Sequence, residues 1–254
     1  MTEQLSHKNS TEQAAKRERS TTVLPPADVL KGFGAADPPV LLDGGQGQTY
    51  RSGNVVLKPA DDDAAWIAEI QTTIADERFR MPRPLKSTDG QWVYQGWAAW
   101  EYIEGQHQSG RWREEIETCI HFHEAISAIP KPPLLNKSLN PWTVADQVVW
   151  GEREIVHHPR IKPSVNCLES ILRPIAGKNQ LIHGDFQMMF SDNGPPTVID
   201  FSPYWRPATF ALDVYVADAL VWGKAPFSIV DYARHVDDFA QFLARAELRR
   251  VIAL

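Results

Sequence analysis

The sequence predicts a mixed α+β fold in two parts, strand-rich up to about Glu104 and mainly helical beyond it. Three observations carry the prediction. Short β-rich runs broken by glycine turns crowd residues 39–59 and 80–105. Stretches with apolar residues three and four apart occupy residues 111–177 and 203–254. Between these helical stretches, two apolar runs end in acids, "QLIHGD" and "TVID", on either side of the turn Asp192-Asn193-Gly194. A chain of 254 residues is long enough for two such parts with their own cores.

The elements follow in order. Residues 1–24 are polar, with no apolar stretch for a signal peptide and with Glu3, Glu12 and Glu18 where a transit peptide is poor in acids, so they read as a disordered tail. "KRER" within them reads as a solvated charge run. "PPVLLDGGQGQTYRSGNVVLKP" reads as three strands, with Gly44, Gly45 and Gly47 in the first turn and Ser52-Gly53-Asn54 in the second. "DDDAAWIAEIQTTIA" starts with acids that suit a helix N-terminus and places Trp66, Ile67, Ile70 and Ile74 at helical spacing. "RMPRPLKSTDGQWVYQGWAAWEYIEG" reads as two strands around Thr88-Asp89-Gly90. The boundary between the parts falls near Glu104-Gly105, giving a strand-rich part over 25–104 and a helical part over 105–254.

In the second part, Trp112, Ile116, Ile120, His123 and Ile126 share one helical face. Pro141 opens a helix expected to run on through Ile155, "SVNCLESILRPIA" forms a shorter one, and "SIVDYARHVDDFAQFLARAELRRVIAL" forms a long terminal one.

Composition narrows the function. A net charge of −6 argues against a broad nucleic-acid face. No apolar run approaches the roughly 20 residues that cross a bilayer. Two cysteines without a CxxC fit a reducing, cytoplasmic compartment and argue against a disulfide framework or a cysteine-ligated zinc site. Nine tryptophans read as core and interface anchors.

Several residues carry chemistry. Close-set glycines turn backbone N–H groups toward an anion. The loop over Gly44, Gly45 and Gly47 joins two strands, unlike the dinucleotide and Walker loops, which open a helix. It suits a lid over nucleotide phosphates, and taken alone it suits an ordinary tight hairpin better. Lys58, closing the run Val55-Val56-Leu57, can place its ammonium on phosphate oxygens, and Glu69 on the next helix can orient it; each is otherwise a solvated charge. His183, Asp185 and Asp200 form the sharpest group. Carboxylates at neighbouring strand ends can divide the work, one accepting a hydroxyl proton and the other holding Mg²⁺ on phosphates. A hydrolytic metal site on His183 and Asp185, or a structural turn with buried polar groups, are the other readings of the same residues.

Taken together, "GGQGQTY…VVLKP", "WEYIEG" and "HGD…VIDF" resemble, in order, the aminoglycoside phosphotransferase and choline kinase-like family, and "VIDFSPYWRP" is similar to a poorly characterised branch of it. The resemblance covers about Leu41 to Trp222. It implies a two-lobed protein-kinase-like fold with ATP between the lobes. Lys58 then holds phosphates with Glu69 as partner, Asp185 is the base beside His183, and Asp200 binds Mg²⁺. Trp100, Glu101, Tyr102 and Ile103 form the hinge that contacts adenine. The acceptor is a hydroxyl of a small molecule.

One position departs from the family pattern. The family loop carries an asparagine a few residues after its aspartate, for a second metal. Four residues on from Asp185 this chain has Met189 and, with four residues between, Phe190. Neither offers the oxygen that Mg²⁺ requires. Asn193 falls in the turn and is expected to point away. The chain reads as though two or three residues were missing between Gln187 and Met188. Two readings follow: a phosphotransferase impaired by its short loop, and a nucleotide-binding pseudokinase.

Overall fold

The computed structural model describes residues 23–42, 47–133, 135 and 140–254. The expected tail over 1–24 lies almost wholly outside the described residues, as do Gly44 and Gly45.

The chain divides into two compact units. One ends at Ala60 and takes up Pro84–Tyr102; the other comprises Asp61–Arg83 and Ile103–Leu254. The crossing between Tyr102 and Ile103 lies close to the expected boundary. Residues 61–83, expected in the strand-rich part, go with the helical unit instead. The cause is apolar burial, since Ile67, Ile70, Ile74, Phe79 and Met81 pack on that unit's largest core.

The first unit opens with helix α1 (Ala27–Gly32) after Pro26 and continues into an antiparallel sheet. Its strands are β1 (Val40–Leu41), β2 (Tyr50–Ser52), β3 (Val55–Pro59), β4 (Pro84–Leu85), β5 (Val93–Tyr94) and β6 (Trp97–Glu101). The order is β1-β2-β3-β6-β4, with β5 also on β6. Val55 and Leu57 alternate into a core with Val29, Phe33, Tyr50, Trp97 and Ala99. Val56 and Lys58 lie on the opposite face of β3, paired with Trp100 and Ala98 of β6. The stretch read as two strands around Thr88-Asp89-Gly90 holds three. That turn forms, but the tight hairpin is at Gln95-Gly96, where both residues have positive φ (48° and 78°), the conformation of a two-residue turn matched to strand twist.

The second unit contains α2 (Ala64–Gln71), α3 (Trp112–Ala125), α4 (Pro141–Val149), α5 (Lys162–Ile171), α6 (Ala208–Val221), α7 (Val230–Ala233) and α8 (Phe239–Ala253). Its two hairpins pair β7 (Asn179–His183) with β10 (Pro203–Pro207) and β8 (Gln187–Met189) with β9 (Thr197–Ile199). Helix α6 is apolar all round and accordingly central, with Phe210, Leu212, Val214, Val216 and Ala217 buried. The expected face of α3 forms, burying Ile116, Phe122, His123 and Ile126. Asn140 caps α4 by accepting from the Thr143 N–H at 2.9 Å, with Pro141 next.

Two helices are shorter than expected. Helix α4 stops at Val149 because Gly151 adopts φ +69°, and Ile155 and Val156 beyond it are exposed. The terminal helix is broken between α7 and α8, where Asp238 adopts the left-handed conformation, φ +57°. A charge cluster fastens α4 and the residues after it to β10: the buried Arg206 guanidinium donates to buried Asp146 Oδ2 at 2.6 and 3.0 Å and to exposed Glu152 at 2.6 and 2.9 Å.

Candidate active site

The two acids that the sequence singles out sit just past the ends of two strands in the second unit, each strand in a different two-stranded sheet. Strand β7 runs "NQLIH" into Gly184 and Asp185; strand β9 runs "TVI" into Asp200. Both carboxylates are exposed. Each is followed by a buried phenylalanine, Phe186 after Asp185 and Phe201 after Asp200. Both rings pack on one imidazole, His183, with centroids 5.4 and 5.5 Å away, and both pack on Phe122. The acids are thus pinned from below by a shared aromatic floor.

His183 joins the two segments by hydrogen bonds. It is fully buried, and its Nε2–H donates to the Ile199 carbonyl at 3.0 Å. Its Nδ1 accepts from the backbone N–H groups of Asp185 and Ser202, each at 3.3 Å. This pattern requires the neutral ring with its proton on Nε2. Burial pushes its pKa below the ordinary histidine value, against the pull of the Asp185 and Asp200 charges. His183 therefore meets the site through backbone contacts on both sides, and its ring is closed to solvent.

Behind it stands a residue that sequence reasoning left as bland. His123 of α3 donates from Nδ1 to the Cys119 carbonyl at 2.7 Å and accepts the His183 backbone N–H on Nε2 at 3.0 Å. Burial lowers its pKa to about 3. The two neutral histidines hold opposite tautomers, each fixed by its partners.

Gly184 is held on every side. A Cβ there would lie 2.3 Å from the Tyr204 ring, its N–H donates to the Ser202 carbonyl at 2.8 Å, and its carbonyl accepts from Arg249 at 3.1 Å. Only glycine fits. Arg249, on α8, is itself buried and stacks over Tyr204 at 4.9 Å. Asp200 adopts φ +53°, a left-handed conformation that aspartate tolerates better than most residues, and it turns the chain between β9 and β10.

The loop position in question is filled by hydrocarbon. Phe190 is 3% exposed, clamped by paired backbone bonds with Gln106 at 2.8 and 2.9 Å, and covered by the Arg111 guanidinium at 3.8 Å. Asn193 lies in the turn beyond β8, where its carbonyl accepts from Ser191 at 2.9 Å. Gln187 begins β8 immediately after Phe186, and its amide nitrogen donates to Asp185 Oδ2 at 3.3 Å.

The remaining expected residues distribute between the units. Lys58 is half-buried on β3, and Gly47 has φ +74° with open space where a side chain would go. Trp100 and Glu101 end β6; Tyr102 donates its N–H to the Asn54 carbonyl at 2.8 Å and stacks under Arg51 at 3.5 Å. Ile103 starts the next segment of the second unit, and Glu69 is exposed on α2 there. Among the described residues, no three His, Cys, Asp or Glu side chains gather as a metal site, and no helix is long and apolar enough to cross a membrane.

No protein-family model and no curated protein matches the chain. Solved structures do. Spectinomycin phosphotransferase APH(9)-Ia bound to AMP is similar at 13% identity and a TM-score of 0.60, over 89% of this chain and 85% of that one. An aminoglycoside phosphotransferase from Alicyclobacillus acidocaldarius is similar at 16% identity and a TM-score of 0.56, over 91% and 84%. The ternary complex of APH(2″)-IIa with streptomycin and ATP is similar at 14% identity and a TM-score of 0.51, over 87% and 88%. The chain has the kinase-like fold of the aminoglycoside phosphotransferases.

Proposed function

We propose that the chain is an ATP-dependent phosphotransferase acting on a hydroxyl of a small molecule. The observation that carries this reading is the pair of exposed carboxylates, Asp185 and Asp200, on loops that one buried imidazole ties together. Structural neighbours crystallised with AMP and with ATP support the nucleotide. Asp185 accepts the proton of the acceptor hydroxyl. Asp200 offers oxygen to Mg²⁺, which takes one or two carboxylates plus phosphates and water. Bound Mg²⁺ neutralises charge on the phosphate oxygens. His183 acts by position: its ring holds the backbones on either side of both acids. Lys58 is assigned to the phosphates, the glycine loop to their lid, and residues 100–103 to the adenine. Two free cysteines, one of them exposed, fit the cytoplasm.

A second reading, a nucleotide-binding pseudokinase, is favoured by one observation, the burial of Phe190 where the loop asparagine is expected. ATP consumption against amino-sugars, amino-alcohols and sugars at millimolar Mg²⁺ separates the two. The phosphotransferase reading expects turnover with at least one acceptor, slower than the ~10 s⁻¹ median of enzymes. Asp185→Asn is expected to remove turnover and spare most ATP affinity, and Asp200→Asn to remove the Mg²⁺-dependent part of that affinity. With ATP near 100 Kd, binding stabilises the fold by about 2.7 kcal/mol, and Lys58→Ala is expected to lose most of that gain. Binding without turnover on any acceptor would leave the pseudokinase; no binding at all would sink both.

A further inference from the structure

We infer that Gln187 supplies the amide oxygen that the shortened loop otherwise lacks, a role that rests on the phosphotransferase reading above. Phosphoryl transfer in protein kinases uses a metal-binding aspartate and the amide oxygen of a catalytic-loop asparagine to hold metal on the phosphates. Here a single residue, Phe186, separates Asp185 from strand β8. The strand therefore begins at Gln187, which pairs with Ile199, the residue before Asp200. Strand pairing sets Gln187 beside the chain that carries one acid, and its side chain reaches the other acid at 3.3 Å. Gln187 is exposed, while Met188 next to it points into the core. Its Nε2 orients Asp185, and the same amide carries Oε1, a hard oxygen donor of the kind that Mg²⁺ and Mn²⁺ accept.

The other candidates in the loop fail on this structure. Phe190 is buried and has no oxygen on its side chain. Met189 offers only a thioether, and Gly105 crowds its Cβ: a Cβ on Gly105 would come within 3.0 Å of it. Asn193 is beyond the far end of β8.

Manganese is the probe, because its electron paramagnetic resonance counts bound ions without any turnover. The full chain is titrated with Mn²⁺ in the presence of a non-hydrolysable ATP analogue. The unaltered chain is expected to bind two ions, as in kinases. Gln187→Leu is expected to keep one and to weaken the other by at least about tenfold, the lower end of what lost support costs a metal site. Gln187→Glu, which restores an oxygen, is expected to bind two again. Thermal unfolding checks that each variant is folded, and Gln187→Ala serves if the leucine chain is not. Two ions on a folded leucine or alanine variant, or only one on the unaltered chain, would overturn the assignment while leaving the phosphotransferase reading intact. No nucleotide-dependent ion on the unaltered chain would overturn both.

Discussion

Replacing His123 by phenylalanine tests the support beneath the candidate catalytic loop. The ring is 3% exposed and packs on Phe122 and Phe186 at 5.3 and 5.9 Å, so phenylalanine fits the space. What is lost is the acceptor for the His183 N–H, together with the Nδ1–H bond to the Cys119 carbonyl. A buried N–H left without a partner costs about 1–3 kcal/mol. A second effect opposes the first. The folded chain holds His123 neutral with a pKa near 3, against 6.5 when unfolded, so the unfolded state binds the extra proton first. Stability from the neutral ring is therefore full above 6.5 and drains as pH falls toward 3. Between pH 7 and pH 5 that drain is about 2 kcal/mol, and the phenylalanine variant escapes it. His183 titrates in both chains and cancels in the difference. Urea unfolding at pH 7 should show His123→Phe less stable by about 1–3 kcal/mol, and at pH 5 the deficit should shrink by about 2 kcal/mol. An equal deficit at both pH values would mean that His123 is not held neutral by burial, and the relay of fixed tautomers would fall with it.

Three further outcomes follow from the same structure. Arg206→Leu leaves Asp146, fully buried, without its guanidinium and is expected to cost about 3–5 kcal/mol in chemical unfolding, whereas replacing Arg206 and Asp146 together by apolar residues should cost much less. Asp213 is buried with both carboxylate oxygens unpartnered, and burial raises its pKa to about 9; the folded state therefore holds its proton while the unfolded state releases it above about 4, so stability drains as pH rises between these values. Asp213→Leu is expected to raise Tm, by more at pH 8 than at pH 5, and a gap that narrows with pH would refute the sign. Inserting Gly-Asn between Gln187 and Met188 is expected to change turnover by less than about tenfold, because Gln187 already offers an oxygen; a gain near the 10²–10³ typical of one electrostatic donor would show that it does not.

The two carboxylates were legible in the sequence because each closes an apolar run, and an apolar run ending in an acid before a turn places that acid at a strand end. The position of Lys58 was legible from the apolar run Val55-Val56-Leu57 that it follows. What holds the acids was not legible. His123 lies 60 residues from the His183 N–H it accepts, and Arg249 lies 65 from Gly184, so no local pattern connects them. His123 also sits on an apolar helical face where its spacing reads as core, which it is; its hydrogen bonds are additional to that packing. The grouping of residues 61–83 was misplaced because helix α2 follows directly from the strand-rich segment, while its isoleucines answer to a core assembled mostly from residues beyond 112. The helix end at Val149 was overrun because periodicity persists past it, and Gly151 with its positive φ stops a helix without altering its apolar spacing.

Strand parity explains how so short a loop leaves the scaffold of the two acids intact. Along β8 and just beyond it, Met188 and Phe190 point into the core, while Gln187 is exposed and Met189 half-buried. Side chains on a strand alternate with a period of two, so adding or removing an odd number of residues before Met188 would turn this hairpin over. Met188 and Phe190 would then face outward and Gln187 inward, and the packing of Phe190 beneath Arg111 would be lost. An even change keeps every face in place. Of the two or three residues by which the loop reads short, parity favours two, and Gln187 stands at the start of the strand beside Ile199.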